Sequence, residues 1–153
     1  MSRIDDRLAE LGLTLPDPPA PAENYLPYTI ANGLVWISGQ ISADEDGPIT
    51  GRLGDSLDLD AGQAAARSCA LALMAQLRAA CGGDLDRVSR VVKLTGFVNC
   101  TPDFTAHPQV INAASDLFAE VFGEAGRHAR AAVGAPSLPL GVAVEIEGVF
   151  AIA

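Results

Sequence analysis

The chain has 153 residues, 49% hydrophobic and 19% charged, which is the composition of a globular chain rather than a disordered one and enough for one ordinary domain. Its net charge of -9, with Lys93 the single lysine among 10 basic residues, excludes general binding to a phosphate backbone. No apolar run reaches the ~18 residues of a membrane span, so a soluble protein without membrane association is expected.

Cys69, Cys81 and Cys100 are odd in number and show no Cys-x-x-Cys spacing. The opening Met1-Ser2-Arg3-Ile4-Asp5-Asp6 is polar and acidic rather than secretory, so the expected compartment is cytoplasmic, with reduced thiols. His107 and His128 are the only histidines, too few for a clustered zinc site, and no metal is expected.

Along the chain, Ile4, Leu8 and Leu11 recur at helical spacing and predict a short amphipathic helix over 3–11. Pro16, Pro18, Pro19 and Pro21 then forbid regular structure up to about residue 23. Residues 1–22 therefore read as an N-terminal extension, a short helix and a proline-rich linker, ahead of a single domain over 23–153.

From Tyr25 to Gln40 two extended runs meet at Asn32-Gly33, a dipeptide that accepts the positive φ of a tight hairpin turn. Gly39 ends the second run, where a glycine serves either a bulge or a close approach of ligand to backbone. Asp44, Glu45, Asp46, Asp55, Asp58 and Asp60 crowd the next stretch, which reads as a solvated acidic loop. A long helix is predicted after Asp60, with Gln63 completing a capping box, and Gly82 or Gly83 ending it beyond Cys81.

Val88 to Val98 reads as a central strand, apolar on both faces and covered on both sides. Lys93 lies within it; the choice is between a Schiff-base lysine and a side chain that snorkels to water, and no catalytic part is assigned to it. Pro108 opens a second helix, in which Val110, Ile111, Ala114, Leu117, Phe118, Val121 and Phe122 form one apolar face up to Gly123.

The last segment sets Arg130 fifteen positions before Glu145, with the turn Leu138-Pro139-Leu140-Gly141 between them. Val144, Ile146 and Gly148 alternate with Glu145, Glu147 and Val149, so the two glutamates share one side of a strand. A return through the Pro/Gly turn brings Arg130 towards Glu145, either as a cross-strand ion pair or as two parts of a site. His128, just before this strand, reads as a surface histidine or as one titrating at a pocket mouth.

Arg130, Leu138-Pro139 and Val144-Glu145-Ile146-Glu147, together with Trp36-Ile37-Ser38-Gly39-Gln40, resemble the Rid family of reactive intermediate deaminases, the YjgF-type proteins, over roughly residues 23 to 151. The resemblance implies an α+β, chorismate-mutase-like (bacillus type) fold, a mixed β-sheet with two helices packed on one face. It further implies a homotrimer with clefts between subunits and no cofactor.

The activity implied is that of an enamine/imine deaminase hydrolysing 2-imino acids to 2-keto acids and ammonia. Arg130 would hold the substrate carboxylate, since its planar fork offers two parallel N–H donors, and Glu145 would position or activate water. Gly39, Asn112 and a tyrosine, Tyr25 or Tyr28, complete the implied pocket; an ungapped count back from Ser38-Gly39-Gln40 favours Tyr25. The alternatives are a non-catalytic trimer that binds or regulates through a small carboxylate metabolite, and a specialised catabolic deaminase.

Overall fold

The computed structural model describes residues 2–21 and 23–153. Five strands form one mixed sheet: β1 (Tyr28–Ala31), β2 (Leu34–Ile41), β5 (Val88–Asn99), β6 (Ala129–Ala135) and β7 (Val144–Ile152), in the spatial order β1-β2-β7-β5-β6. Only β5 and β6 run parallel, because helix α3 (His107–Phe122) crosses over between them. A small hairpin of β3 (Ala43–Asp44) and β4 (Gly47–Pro48) stands apart within the acidic region.

Asn32 and Gly33 adopt φ of 52° and 76° between β1 and β2, the paired positive values of a type I′ turn. Helix α2 (Leu59–Ala80) begins two residues earlier than the sequence reading places it. Asp58, not Asp60, is its cap, accepting from the Ala61 N–H at 2.8 Å, while the Gln63 amide leaves the cap and donates to the Gln109 carbonyl. At the far end Gly82 and Gly83 both take positive φ, and the Gly83 N–H closes on the Arg78 carbonyl at 2.9 Å.

Helices α2 and α3 pack side by side on one face of the sheet. Their alanines and Gly62 on α2, and Gly96 on β5, keep the layers close: a Cβ on Gly96 would stand 2.6 Å from Ile111 Cδ1. Phe118, Phe150, Leu73, Met74, Leu94 and Ile146 fill the space between helices and sheet. Helix α1 (Arg3–Glu10) docks against α3, burying Ile4 and Leu8, and Asp86 binds its Arg3 and Ile4 N–H groups at 2.9 Å.

One expectation fails at β5. Within the chain only one of its faces is covered: Val91, Leu94 and Val98 are buried, whereas Lys93 is exposed and Thr95 and Phe97 are half-buried. The register slips between Val91 and Lys93, so Val91 and Leu94, three apart, both point towards the helices. A bulge thus placed apolar residues at both parities and gave a half-covered strand the sequence pattern of a fully covered one. On the uncovered face Trp36 is 51% exposed and Val133 43%.

Candidate functional site

The first cluster of predicted residues forms where β6 leaves the 3-10 turn Gly123–Gly126 and runs beneath α3. Arg130 pairs in register with buried Leu94, which turns its side chain to the helix-covered face. There its Nη1 donates to Asn112 Oδ1 at 2.9 Å and to Ser115 Oγ at 3.2 Å, two residues three apart on α3.

Ser115 lies in turn 2.9 Å from His128 Nε2, and His128 Nδ1 lies 2.7 Å from the Gly126 carbonyl. A carbonyl can only accept, so Nδ1 carries the proton and Nε2 accepts from the Ser115 hydroxyl. Burial, aided by the nearby Arg130 cation and opposed by the bond to Gly126, holds His128 below its ordinary pKa and keeps this neutral form. His128 is therefore half-buried rather than a surface histidine.

The second cluster forms at β2. Its register with β7 slips between Ile37 and Gln40, making a bulge of Ser38 and Gly39. Ser38 fastens the bulge to the incoming chain, its hydroxyl donating to the Leu26 carbonyl at 2.7 Å and its N–H to the Pro27 carbonyl at 2.9 Å. The Glu145 carboxylate occupies the space that a Cβ on Gly39 would take. Glycine is needed there for room, since a side chain would expel the carboxylate.

Glu145 is partly buried, and burial followed by the neighbouring Glu147 charge pushes its carboxyl above the ordinary carboxylate pKa. Tyr25, 50% exposed, joins Gly39 and Glu145 along a cleft of about 1240 Å³. Tyr28 instead starts β1 and packs against the core.

The two clusters do not meet within one chain. Strand β5 separates β6 from β7, and β5 pairs Leu94 with Arg130 but Phe97 with Glu145. Positions three apart on a regular stretch of strand point to opposite faces, so Arg130 faces the helices and Glu145 the uncovered side. The expected return through the Pro/Gly turn crosses over β5 instead of pairing neighbours, and this removes the cross-strand ion pair. Among the described residues no carboxylate lies within ion-pair distance of Arg130.

Ser115 carried no sequence signal beyond its place one turn after Asn112, and its partner His128 could be paired with it only through the fold. Lys93 lies exposed on the uncovered face. Among the described residues no group of His, Cys, Asp and Glu is arranged to hold a metal ion, and no helix is long and apolar enough to cross a membrane.

Comparison with known proteins places this geometry. A family model described as "YjgF/chorismate_mutase-like, putative endoribonuclease" matches residues 5–151. Protein TCP17 of Trypanosoma cruzi is 52% identical over 147 residues, covering 95% of this chain and 91% of that protein. The crystal structure of Atu1372 from Agrobacterium tumefaciens, itself of unknown function, superposes with a TM-score of 0.90 at 46% identity, covering 98% of this chain and 94% of the other. RidA from the Antarctic bacterium Psychrobacter sp. PAMC 21119 is more distant, with a TM-score of 0.58 at 27% identity over 88% of this chain and 93% of its own. A sheet ordered β1-β2-β7-β5-β6 under two long helices, with Arg130, Gly39 and Glu145 at the spacing that the resemblance required, and a family match over nearly the whole length, make the chain a member of the YjgF/chorismate-mutase-like family, the Rid family.

Proposed function

We propose that the protein hydrolyses 2-imino acids to 2-keto acids and ammonia, in clefts where the Arg130 cluster of one copy meets the Glu145 cluster of the next in a homotrimer. The observation that carries the reading is that Arg130, held by Asn112 and Ser115, and Glu145, seated against Gly39, each have no counter-ion among the described residues. A structural ion pair would have satisfied both. The uncovered sheet face, with Trp36, Phe97 and Val133, is the surface available for the neighbouring copy.

Arg130 receives the substrate carboxylate through the N–H donors that Asn112 and Ser115 leave unused, and these two side chains fix the plane of the guanidinium. The C=N carbon then faces Glu145. Its carboxylate takes a proton from water as the oxygen bonds to that carbon, giving a carbinolamine. With the imine bound as its iminium, the same carboxyl returns that proton to the carbinolamine nitrogen, the C–N bond breaks as the carboxylate takes the hydroxyl proton, ammonia leaves and the C=O of the keto acid remains. A carboxyl raised above its ordinary pKa is suited to both halves of this transfer, and the Gly39 backbone and Tyr25 hydroxyl lie where they can hold water or the departing amine.

The test supplies 2-iminobutanoate in place with a threonine dehydratase and follows its loss above the spontaneous rate. Wild type is expected to accelerate the loss. Arg130→Ala should lower kcat/KM on the order of 100-fold, and Arg130→Lys nearly as much, because lysine lacks the fork. Lysine working as well as arginine would count against two-pronged recognition of the carboxylate.

The competing reading is a trimer that binds small carboxylates without turnover; saturable binding by a folded protein that never speeds imine loss would establish it. The endoribonuclease in the family description finds little support in this chain, whose net charge is -9 and whose exposed acidic residues outnumber its basic ones.

A further inference from the structure

In the single chain, before a neighbouring copy covers it, the cleft beside Glu145 offers more room than a short imino acid fills. Its volume of about 1240 Å³ exceeds the ~300–1,000 Å³ of sites that enclose drug-sized molecules. The proline-rich strap Thr14–Pro21 and the flank of α2 around Ala64, Arg67 and Leu71 line it, together with Gly39 and Glu145.

The strap is fixed in place. Gln76, 1% exposed on α2, donates to the Pro19 carbonyl at 2.7 Å and reaches Gln40 Oε1 at 3.4 Å, while Gln40 donates to the Ser38 carbonyl at 2.8 Å. A buried amide thus ties the strap to the same bulge that makes room for the Glu145 carboxylate. Leu15, buried, anchors the strap's other end in the core.

Leu15, Pro16, Pro19, Ile49, Leu71 and Leu140 make most of the surface apolar. Of the charged residues on the wall, Asp17, Glu23, Asp44, Glu45 and Glu145 face a single cation, Arg67, which disfavours an anionic side group.

We propose that the strap and α2 form a side-group pocket, and that the protein acts on 2-imino acids with bulky, uncharged apolar side groups, branched aliphatic or aromatic, in preference to three- and four-carbon ones. This rests on the deaminase reading for turnover, but the pocket itself can be tested by binding alone. Each methylene that enters an apolar pocket discriminates by roughly 10-fold or more, so the preference should be large.

The experiment generates the imines of alanine, leucine and phenylalanine in place with an L-amino acid oxidase and catalase, and measures kcat/KM for wild type and Ala64→Phe. Ala64 is exposed on α2, so the larger ring fills the cleft without entering the core. The expected ratio of phenylalanine-derived to alanine-derived imine is at least about 10 in wild type, falling at least about tenfold in Ala64→Phe. In parallel, calorimetry compares phenylpyruvate with pyruvate on both proteins, and tighter binding of phenylpyruvate, weakened in Ala64→Phe, is expected.

A wild type that favours the small imine, or a ratio that Ala64→Phe leaves unchanged, overturns the pocket. If no imine is hydrolysed yet phenylpyruvate still binds more tightly and the substitution weakens it, the deaminase reading fails while the pocket stands. Equal binding of the two keto acids overturns the pocket whatever the turnover.

Discussion

Two titrating residues carry opposite pH signatures. The raised Glu145 carboxyl binds a proton more tightly in the folded chain than in the unfolded one. Its contribution to stability is therefore present below the ordinary carboxylate range and lost as pH rises through the raised value. Glu145→Gln should raise the thermal midpoint near about pH 7 and leave it unchanged near about pH 3, while lowering activity. Equal midpoints at both pH values would show that the carboxyl is not held up by its surroundings. For His128 the folded pKa is depressed, so its contribution is complete above about pH 6.5 and is lost as pH falls through the lower folded value. Protonation turns Nε2 from acceptor to donor, displacing the Ser115 hydroxyl and setting a second cation beside Arg130. KM should accordingly rise several-fold as pH falls through the depressed His128 value, and His128→Gln should flatten that rise. An unchanged KM profile in the variant would separate His128 from Arg130. Gly39→Ala should depress kcat on the order of 100-fold, since a 1 Å displacement of a reacting group has that effect.

At the scale of elements, much of the architecture was legible because each helix and turn carries its own chemical punctuation. Asn32-Gly33 marked the hairpin, Gly82-Gly83 and Gly123 the helix ends, and the alternation of Val144 to Val149 the two faces of β7. The cap of α2 was misplaced because Asp58 and Asp60 are equally able to accept an N–H, and the choice depends on where the preceding chain leaves the core. The coverage of β5 was misread because a bulge is invisible to a period-2 count. Tight layering gives its own test: Gly96→Ala would press a methyl onto Ile111 and should cost about 1–3 kcal/mol in chemical denaturation. Combining it with Ile111→Val should recover part of that loss, since the pair is in contact and its effects should not add. Full additivity would mean that the sheet moves rather than the side chain.

For the whole molecule, the decisive relation was the one the linear sequence hid. Arg130 and Glu145 could be recognised by spacing, but the face each occupies depends on β5 entering between their strands. Their separation predicts complementation between copies. Arg130→Ala and Glu145→Gln should each turn over imine on the order of 100-fold more slowly alone, whereas subunits exchanged in equal amounts should regain about a quarter of the wild-type rate, since one cleft in four then pairs an intact arginine with an intact glutamate. No recovery after verified exchange would mean that both residues must come from one chain. The same arrangement bears on how the protein is made. Strand β7 comes last of the seven, yet it lies in the middle of the sheet, holding β2 on one side and β5 on the other. As the chain emerges from its N-terminal end, the β1–β2 hairpin and the β5–α3–β6 unit have no sheet in common until Val144–Ile152 arrives to join them. Synthesis therefore delivers Glu145 and the joining strand in the same stroke, so a chain interrupted before Val144 has neither a closed sheet nor the second of its two clusters.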